Sequence, residues 1–147
     1  MDPWYSALRI GLAYLLALPI GWDREQRARS AGLRTFPLVA IASCGYILVG
    51  DAMTGSTAES QSRIIQGLVS GIGFIGGGAI LKGEFSVQGT ATAASIWNTA
   101  AVGVAVARGS FDIALMLSVL NLVALRLLVP LKRRVQKAGQ PEDDLRD

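Results

Sequence analysis

Residues 64–81 read IIQGLVSGIGFIGGGAIL, a run of 18 residues without a charged side chain. A second uncharged run follows at residues 85–107, and most of the charges lie in residues 23–34 or after residue 125. An uncharged apolar segment of about 18 residues or more is the usual threshold for a membrane-spanning helix. The pattern therefore predicts an integral membrane protein, since a soluble domain would spread its charges along the whole chain.

Hydropathy along the rest of the chain gives five apolar segments in all. They cover residues 3–22, 36–50, 64–81, 88–107 and 111–131. Each can cross a hydrocarbon core of about 30 Å if its ends extend slightly. We therefore predict an all-α, polytopic membrane helix bundle with about five transmembrane helices over residues 1–131. Residues 132–147 have too few apolar side chains to fold alone and are predicted to form a short charged cytosolic tail.

The distribution of basic residues predicts the orientation of this bundle. Ten Lys and Arg fall on one side of the five predicted spans, and only Arg63 and Arg108 fall on the other. Because basic residues favour the cytoplasmic side, we expect the N-terminus outside and the C-terminus inside. Arg9 and Arg126 lie within spans and are expected to extend toward the membrane surfaces. The net charge of +3 thus indicates membrane topology and not nucleic-acid binding.

The composition excludes several kinds of functional site. The chain has no His and a single Cys, Cys44, so a structural zinc site, a disulfide framework and a Ser-His-Asp triad are ruled out. No nucleophile–base pair can be assembled, because neither Ser70 nor Thr92 has an evident activating group. We therefore expect a protein that is not an enzyme, and the sequence fixes no cofactor.

The third apolar segment is rich in glycine. Helices in a bilayer associate by close packing, for which small residues are favoured. Tight packing is the favoured interpretation, and a helix that unwinds near residues 76–78 to offer backbone groups to a ligand is the alternative. This much small-residue surface also predicts self-association, most simply as a two-fold homodimer. The glycines predicted to pack are Gly67, Gly71, Gly73, Gly76, Gly77 and Gly78.

The fourth segment carries a polar stripe. Thr92, Ser95 and Thr99 recur on one helical face, with Asn98 beside them. An unpaired polar group in hydrocarbon costs several kcal/mol, so this stripe should face a neighbouring helix or a water-filled crevice. Interhelical hydrogen bonding is favoured over a permeation path, because such bonds are common in membrane bundles.

The densest group of charges lies in residues 21–35, GWDREQRARSAGLRT. The loop returns to the membrane at Arg34, within reach of Glu25. One interpretation is a solvated loop that follows the positive-inside rule. The other is a binding site at the cytoplasmic mouth, where Asp23 and Glu25 accept hydrogen bonds while Arg24 and Arg34 pair with them or hold an anion.

Four strings in this order, GWDRE, AGLRT, VSGIGFIGGGAIL and the run GTATAASIW, closely resemble the MgtC/SapB family of bacterial inner-membrane proteins. The likeness covers roughly residues 8–125, and Asp23 stands where the family usually has Glu. The resemblance implies a multi-pass protein of the inner (plasma) membrane that is linked to low-magnesium adaptation and, in pathogens, to virulence. It also implies a short, SapB-like member, since MgtC-type members carry a soluble C-terminal domain beyond the membrane part.

Two functions are open at this stage. The first is a non-catalytic regulator that binds a partner or ligand at its cytoplasmic mouth. The second is a transporter or channel for Mg²⁺ or another small solute, with Asp23 and Glu25 as candidate metal ligands, because Mg²⁺ prefers oxygen ligands. The expected partners are the lipid bilayer, a second copy of the chain and other membrane proteins, and no nucleic acid. The candidate binding residues are Asp23, Arg24, Glu25, Arg34, Thr35, Thr92, Ser95 and Asn98.

Overall fold

A computed structural model describes residues 2–27, 31–55, 57–83 and 87–138, with side chains described up to residue 127. Within these residues a two-residue antiparallel strand pair, β1 and β2, lies between the third and fourth of five helices. The predicted all-α architecture is confirmed. The elements are α1 (Pro3–Arg27), α2 (Thr35–Thr54), α3 (Ala58–Gly78), β1 (Leu81–Lys82), β2 (Val87–Gln88), α4 (Thr90–Ala107) and α5 (Phe111–Ala138).

Three of these helices, α1, α2 and α4, are long and apolar enough to cross a membrane. Each predicted apolar segment corresponds to one helix, but the boundaries differ. α1 continues past the predicted end at residue 22 and includes the charged residues up to Arg27. α5 continues to Ala138, inside the predicted tail, whose residues 139–147 lie outside the described residues. The count of five spans and the orientation stay predictions.

The turn before α4 depends on a glycine. Gly89 has a φ of 86°, in the left-handed region that residues with a side chain rarely adopt. A Cβ atom at Gly89 would also collide with the carbonyl oxygen of Ala79, just after α3. The chain can therefore begin α4 directly against the end of α3, which brings Thr92 to the same end of the bundle as the last turn of α1.

α4 lies at the centre of the bundle and contacts each of the other four helices. Its closest approach is to α2, where a Cβ atom on Gly103 would collide with the carbonyl oxygen of Ala40. The small residues Ala13 and Ala17 of α1 are fully buried in the same core, together with Cys44 of α2. Small side chains at these positions let three backbones approach closely, which is the packing expected of helices in a bilayer.

α3 lies at the edge of the bundle. Of its residues only Ile72 and Gly76 are buried, and the helix stays α-helical up to Gly78, so the unwound alternative is not what the structure shows. Apolar grooves of about 720 Å³ and about 360 Å³ flank it, against α2 and against α4 and α5. Among the described residues nothing lies within 4 Å of where a Cβ atom would stand on Gly67, Gly71, Gly73, Gly77 and Gly78. Their predicted packing role is not fulfilled inside one chain and stays a prediction for contacts with another molecule.

Candidate binding site at the Asp23 end

The last turn of α1 carries three consecutive charged residues, Asp23, Arg24 and Glu25. Successive side chains on an α-helix point about 100° apart, since there are 3.6 residues per turn. These three therefore reach three different elements: α5, the start of α4, and the segment just before α2. We call this end of the bundle, where α1 and α3 end and α2 and α4 begin, the Asp23 end.

Asp23 joins α1 to α5. Its side chain is 1% exposed, and its Oδ1 accepts hydrogen bonds from Nε of Arg126 at 3.0 Å and from Nε of Arg27 at 3.2 Å. A buried carboxylate is costly unless it is paired, so both arginines stabilise it. Its Oδ2 is buried and has no hydrogen-bond partner among the described residues. Arg126, which was expected to extend to the membrane surface, instead serves as the partner of a buried acid.

Arg24 joins α1 to the first turn of α4. Its Nη2 donates a hydrogen bond to Oγ1 of Thr92 at 2.9 Å, and Thr92 is buried. Its Nε is also buried and, in the part of the chain that the structure describes, donates to no acceptor. Since Asp23 is already bound to Arg27 and Arg126, Arg24 forms no ion pair with any described carboxylate. The site thus contains a half-buried guanidinium with a free donor.

Glu25 joins the end of α1 to the segment just before α2. Its Oε2 accepts a hydrogen bond from the backbone N–H of Leu33 at 3.0 Å. A Cβ atom at Gly32 would collide with this carboxylate, so a larger residue there would force the exposed Glu25 side chain to move. Arg34 is exposed and makes no ion pair within the described ranges. The described contacts therefore include no ion pair of Arg24 or Arg34 with the two acids, and the alternative that these arginines hold an anion stays a prediction.

The polar stripe of α4 bonds mainly to α5. Oγ of Ser95 donates to Oδ1 of Asn121 at 2.9 Å, and Nδ2 of Asn98 donates to the carbonyl oxygen of Leu117 at 3.2 Å. Thr99 donates to the Ser95 carbonyl within α4. These bonds confirm the predicted interhelical hydrogen bonding. They provide hydrogen-bond partners for polar side chains that would find none in the hydrocarbon of a bilayer.

Three of the predicted binding residues line one groove. Arg24, Ser95 and Asn98 meet Asn121 in a groove of about 520 Å³ between α4 and α5. Thr35 lies elsewhere, at the groove between α2 and α3. Within the described residues no group of three or more Asp, Glu, Cys or His side chains could hold a metal ion.

Sequence reasoning missed the role of Arg126. An arginine inside a predicted span needs a partner, and the nearest unpaired acid at the same membrane depth was Asp23. This rule could have pointed to the Asp23–Arg126 pair, but it does not say which of the several arginines near Asp23 binds it.

The fold and the site define a class: an α-helical bundle with helices able to span a membrane, whose charged end is held together by an ion-pair network. Residues 10–134 match the family described as the MgtC family. The chain belongs to the MgtC family, as the four sequence strings indicated.

The relatives it resembles include proteins from several bacteria. It is 42% identical over 126 residues to an uncharacterized protein of Synechocystis sp., covering 86% of this chain and 53% of that protein. It is 39% identical over 127 residues to protein MgtC of Brucella abortus, covering 86% and 52%. It is 40% identical over 130 residues to protein MgtC of Salmonella typhimurium, covering 88% and 55%. The chain thus spans about half the length of these relatives. No solved structure matches it.

Proposed function

We propose that this protein is a multi-pass inner-membrane protein that acts as a non-catalytic regulator in adaptation to low magnesium, and in pathogens in virulence. In this proposal it binds a partner or ligand at the Asp23 end. The magnesium link comes from the family, two of whose members above carry the name MgtC. The placement of the Asp23 end in the cytoplasm comes from the ten Lys and Arg on that side of the five predicted spans.

The observation that carries the proposal is how the charges of the Asp23 end are distributed. The two acids are bound internally, Asp23 to Arg27 and Arg126 and Glu25 to a backbone N–H. The cations Arg24 and Arg34 form no ion pair with described residues. An end that binds its own acids internally while presenting guanidinium groups without an ion pair suits an anionic or hydrogen-bond-accepting partner.

Growth of a strain lacking the gene in low-magnesium medium tests this role. We expect the Arg34→Ala variant to lose complementation, because it removes an exposed cation and no internal contact of the described residues. Arg63→Ala is the matched control, since Arg63 is also exposed but lies toward the opposite end, paired with Glu59 four residues away. Full complementation by Arg34→Ala, at normal protein levels, would contradict the proposal.

Liposome measurements separate a regulator from a transporter. We expect purified protein in liposomes to show no saturable Mg²⁺ flux, because the polar groups of α4 are bound to their neighbours. A saturable flux that the Thr99→Val variant alters would favour the transporter instead.

Self-association belongs to the same proposal and is supported by the glycine face of α3. Bare glycines on a membrane helix favour close contact with another helix over contact with lipid. With Cys44 replaced by alanine, a cysteine at position 77 should cross-link two copies in native membranes. A cysteine at Val119, on the apolar outer face of α5, should not. Equal cross-linking at both positions would count against an α3 interface.

A further inference from the structure

The groove between α4 and α5 is lined by one cationic side chain and by mainly apolar residues. One end holds the Arg24 guanidinium, and the groove has a volume of about 520 Å³. Of its other polar residues, Ser95 and Asn121 bond to each other and Asn98 donates to the Leu117 carbonyl, so Arg24 is the charged residue of the described lining. The remaining lining is mainly apolar and consists of Ala91, Ala94, Leu117, Leu120, Ala124 and Leu125. Such a groove matches a molecule with an anionic head and a hydrocarbon tail.

The guanidinium at this groove has unused donors. Arg24 donates a hydrogen bond from Nη2 to Thr92, while its buried Nε has no acceptor among the described residues. An unpaired buried donor destabilises a fold, so an added acceptor at this edge would stabilise this one. Phosphate oxygens suit the planar fork of arginine better than most other acceptors.

The surface around the groove has the character of a lipid-facing surface. Leu120 belongs both to the groove and to an outer face of α5 made of large exposed apolar side chains. The other members of this face are Leu115, Met116, Val119, Val123 and Leu127. This face differs from that of α3, where glycines leave open space. Large apolar side chains contact lipid chains where a helix lies in a bilayer, so this face supports a groove that is open to lipid.

The charge of the Asp23 end favours an anionic lipid over a zwitterionic one. The cations at this end outnumber Asp23 and Glu25 by three among the residues whose side chains the structure describes, and they are Arg24, Arg27, Arg34, Lys82 and Arg126. Basic pockets between membrane helices on the cytoplasmic side are typical binding sites for anionic headgroups.

We propose that the α4–α5 groove binds one anionic phospholipid, with its phosphate on Arg24 and an acyl chain along Leu117 and Leu120. The inference names a ligand class for the Asp23 end and therefore rests on the proposed function. Lipid bound here would add a contact between α1, α4 and α5, so it would stabilise the charged end that a partner recognises.

The test uses the full chain, delipidated in detergent, with native mass spectrometry as the readout. The probes are phosphatidylglycerol, phosphatidylethanolamine with the same acyl chains, and inorganic phosphate. We expect phosphatidylglycerol to bind at least about tenfold more tightly than phosphatidylethanolamine, and the Arg24→Gln variant to lose about tenfold or more of that affinity. Arg63→Gln is the matched control, because it removes the same charge from an exposed side chain outside the groove, and it should change the affinity less than about twofold.

A second variant keeps the test decisive if Arg24→Gln does not fold. Ala94→Phe fills the groove without changing the charge, and it should abolish the preference for phosphatidylglycerol. Equal affinity for both lipids, equal losses in the two arginine variants, or an unchanged preference in Ala94→Phe would overturn the proposal. Complete displacement of phosphatidylglycerol by inorganic phosphate would also overturn it, in favour of a free-anion site. If lipid binding fails while Arg34→Ala still loses complementation, the regulator role stands and only this inference falls.

Discussion

The ion pair between Asp23 and Arg126 makes the sharpest prediction about stability. Replacing Asp23 by Asn keeps the shape of the side chain but removes the charge that two arginines share. Truncating one partner of a fully buried pair costs about 3–5 kcal/mol. Here Arg126 is 53% exposed and water screens it, so the expected coupling between Asp23 and Arg126 is smaller, about 1–3 kcal/mol.

A double-mutant cycle measures this coupling. The variants are Asp23→Asn, Arg126→Gln and the two together, studied in detergent. Cys44 is fully buried and is the single cysteine of the chain, so its alkylation rate, normalised to the fully denatured protein, reports how often the bundle opens. Each 1.4 kcal/mol of lost stability should raise this rate about tenfold.

The Glu59–Arg63 pair provides the control cycle. It has a shorter distance, 2.9 Å, but its side chains are 78% and 77% exposed. Exposed pairs of this spacing contribute about 0.3–0.5 kcal/mol, so its coupling should be clearly weaker. If the two cycles gave the same coupling, burial would not be what makes the Asp23 pair important, and the account of the Asp23 end would be refuted.

Three further predictions follow from close approaches and from topology. Gly103→Ala should lower the free energy of unfolding by about 1–3 kcal/mol, because its Cβ atom meets the Ala40 carbonyl. Gly73→Ala should raise it by up to about 1 kcal/mol through helix propensity alone. A change of the same sign in both variants would contradict the packing of α4 on α2. Gly32→Ala should lower the free energy of unfolding by about 0.5–1.5 kcal/mol, because its Cβ atom displaces the exposed Glu25 carboxylate from the Leu33 N–H. Glu25→Gln should lower it less, since an amide oxygen can still accept, and cysteine alkylation measures both. A reporter enzyme that works in the cytoplasm should be active when it is fused after residue 147. If only a reporter that works outside the cytoplasm were active there, the predicted orientation of the bundle would be wrong.

The helical composition of the fold was readable from the chain because it depends on local patterns. Uncharged runs such as residues 64–81 and 85–107 indicate helices without reference to anything distant in sequence. The helix boundaries were less readable. α1 continues through Asp23 and Arg24 because these side chains find partners on α4 and α5, which a hydropathy profile does not represent.

The site was predicted in its residue types and missed in its pairings. Charge density drew attention to residues 21–35, and the stripe of α4 was correctly expected to bond to a neighbouring helix. The pairing of Asp23 with Arg126 was not anticipated, because the two residues are 103 positions apart in the sequence. The packing of the α3 glycines could not be decided from one chain, since five of them face open space.

The apolar segments, the helical class, the family and the crowding of charge near Asp23 all follow from local sequence, because hydrophobicity, glycine content and motif order are properties of neighbouring residues. The packing of the helices is what binds Arg126 to Asp23, places Arg24 in a groove and leaves Arg34 exposed. The reason is geometric: a hydrogen bond requires a separation of about 3 Å. Which groups reach that separation depends on the rotation and depth of each helix in the bundle, and local sequence does not encode these.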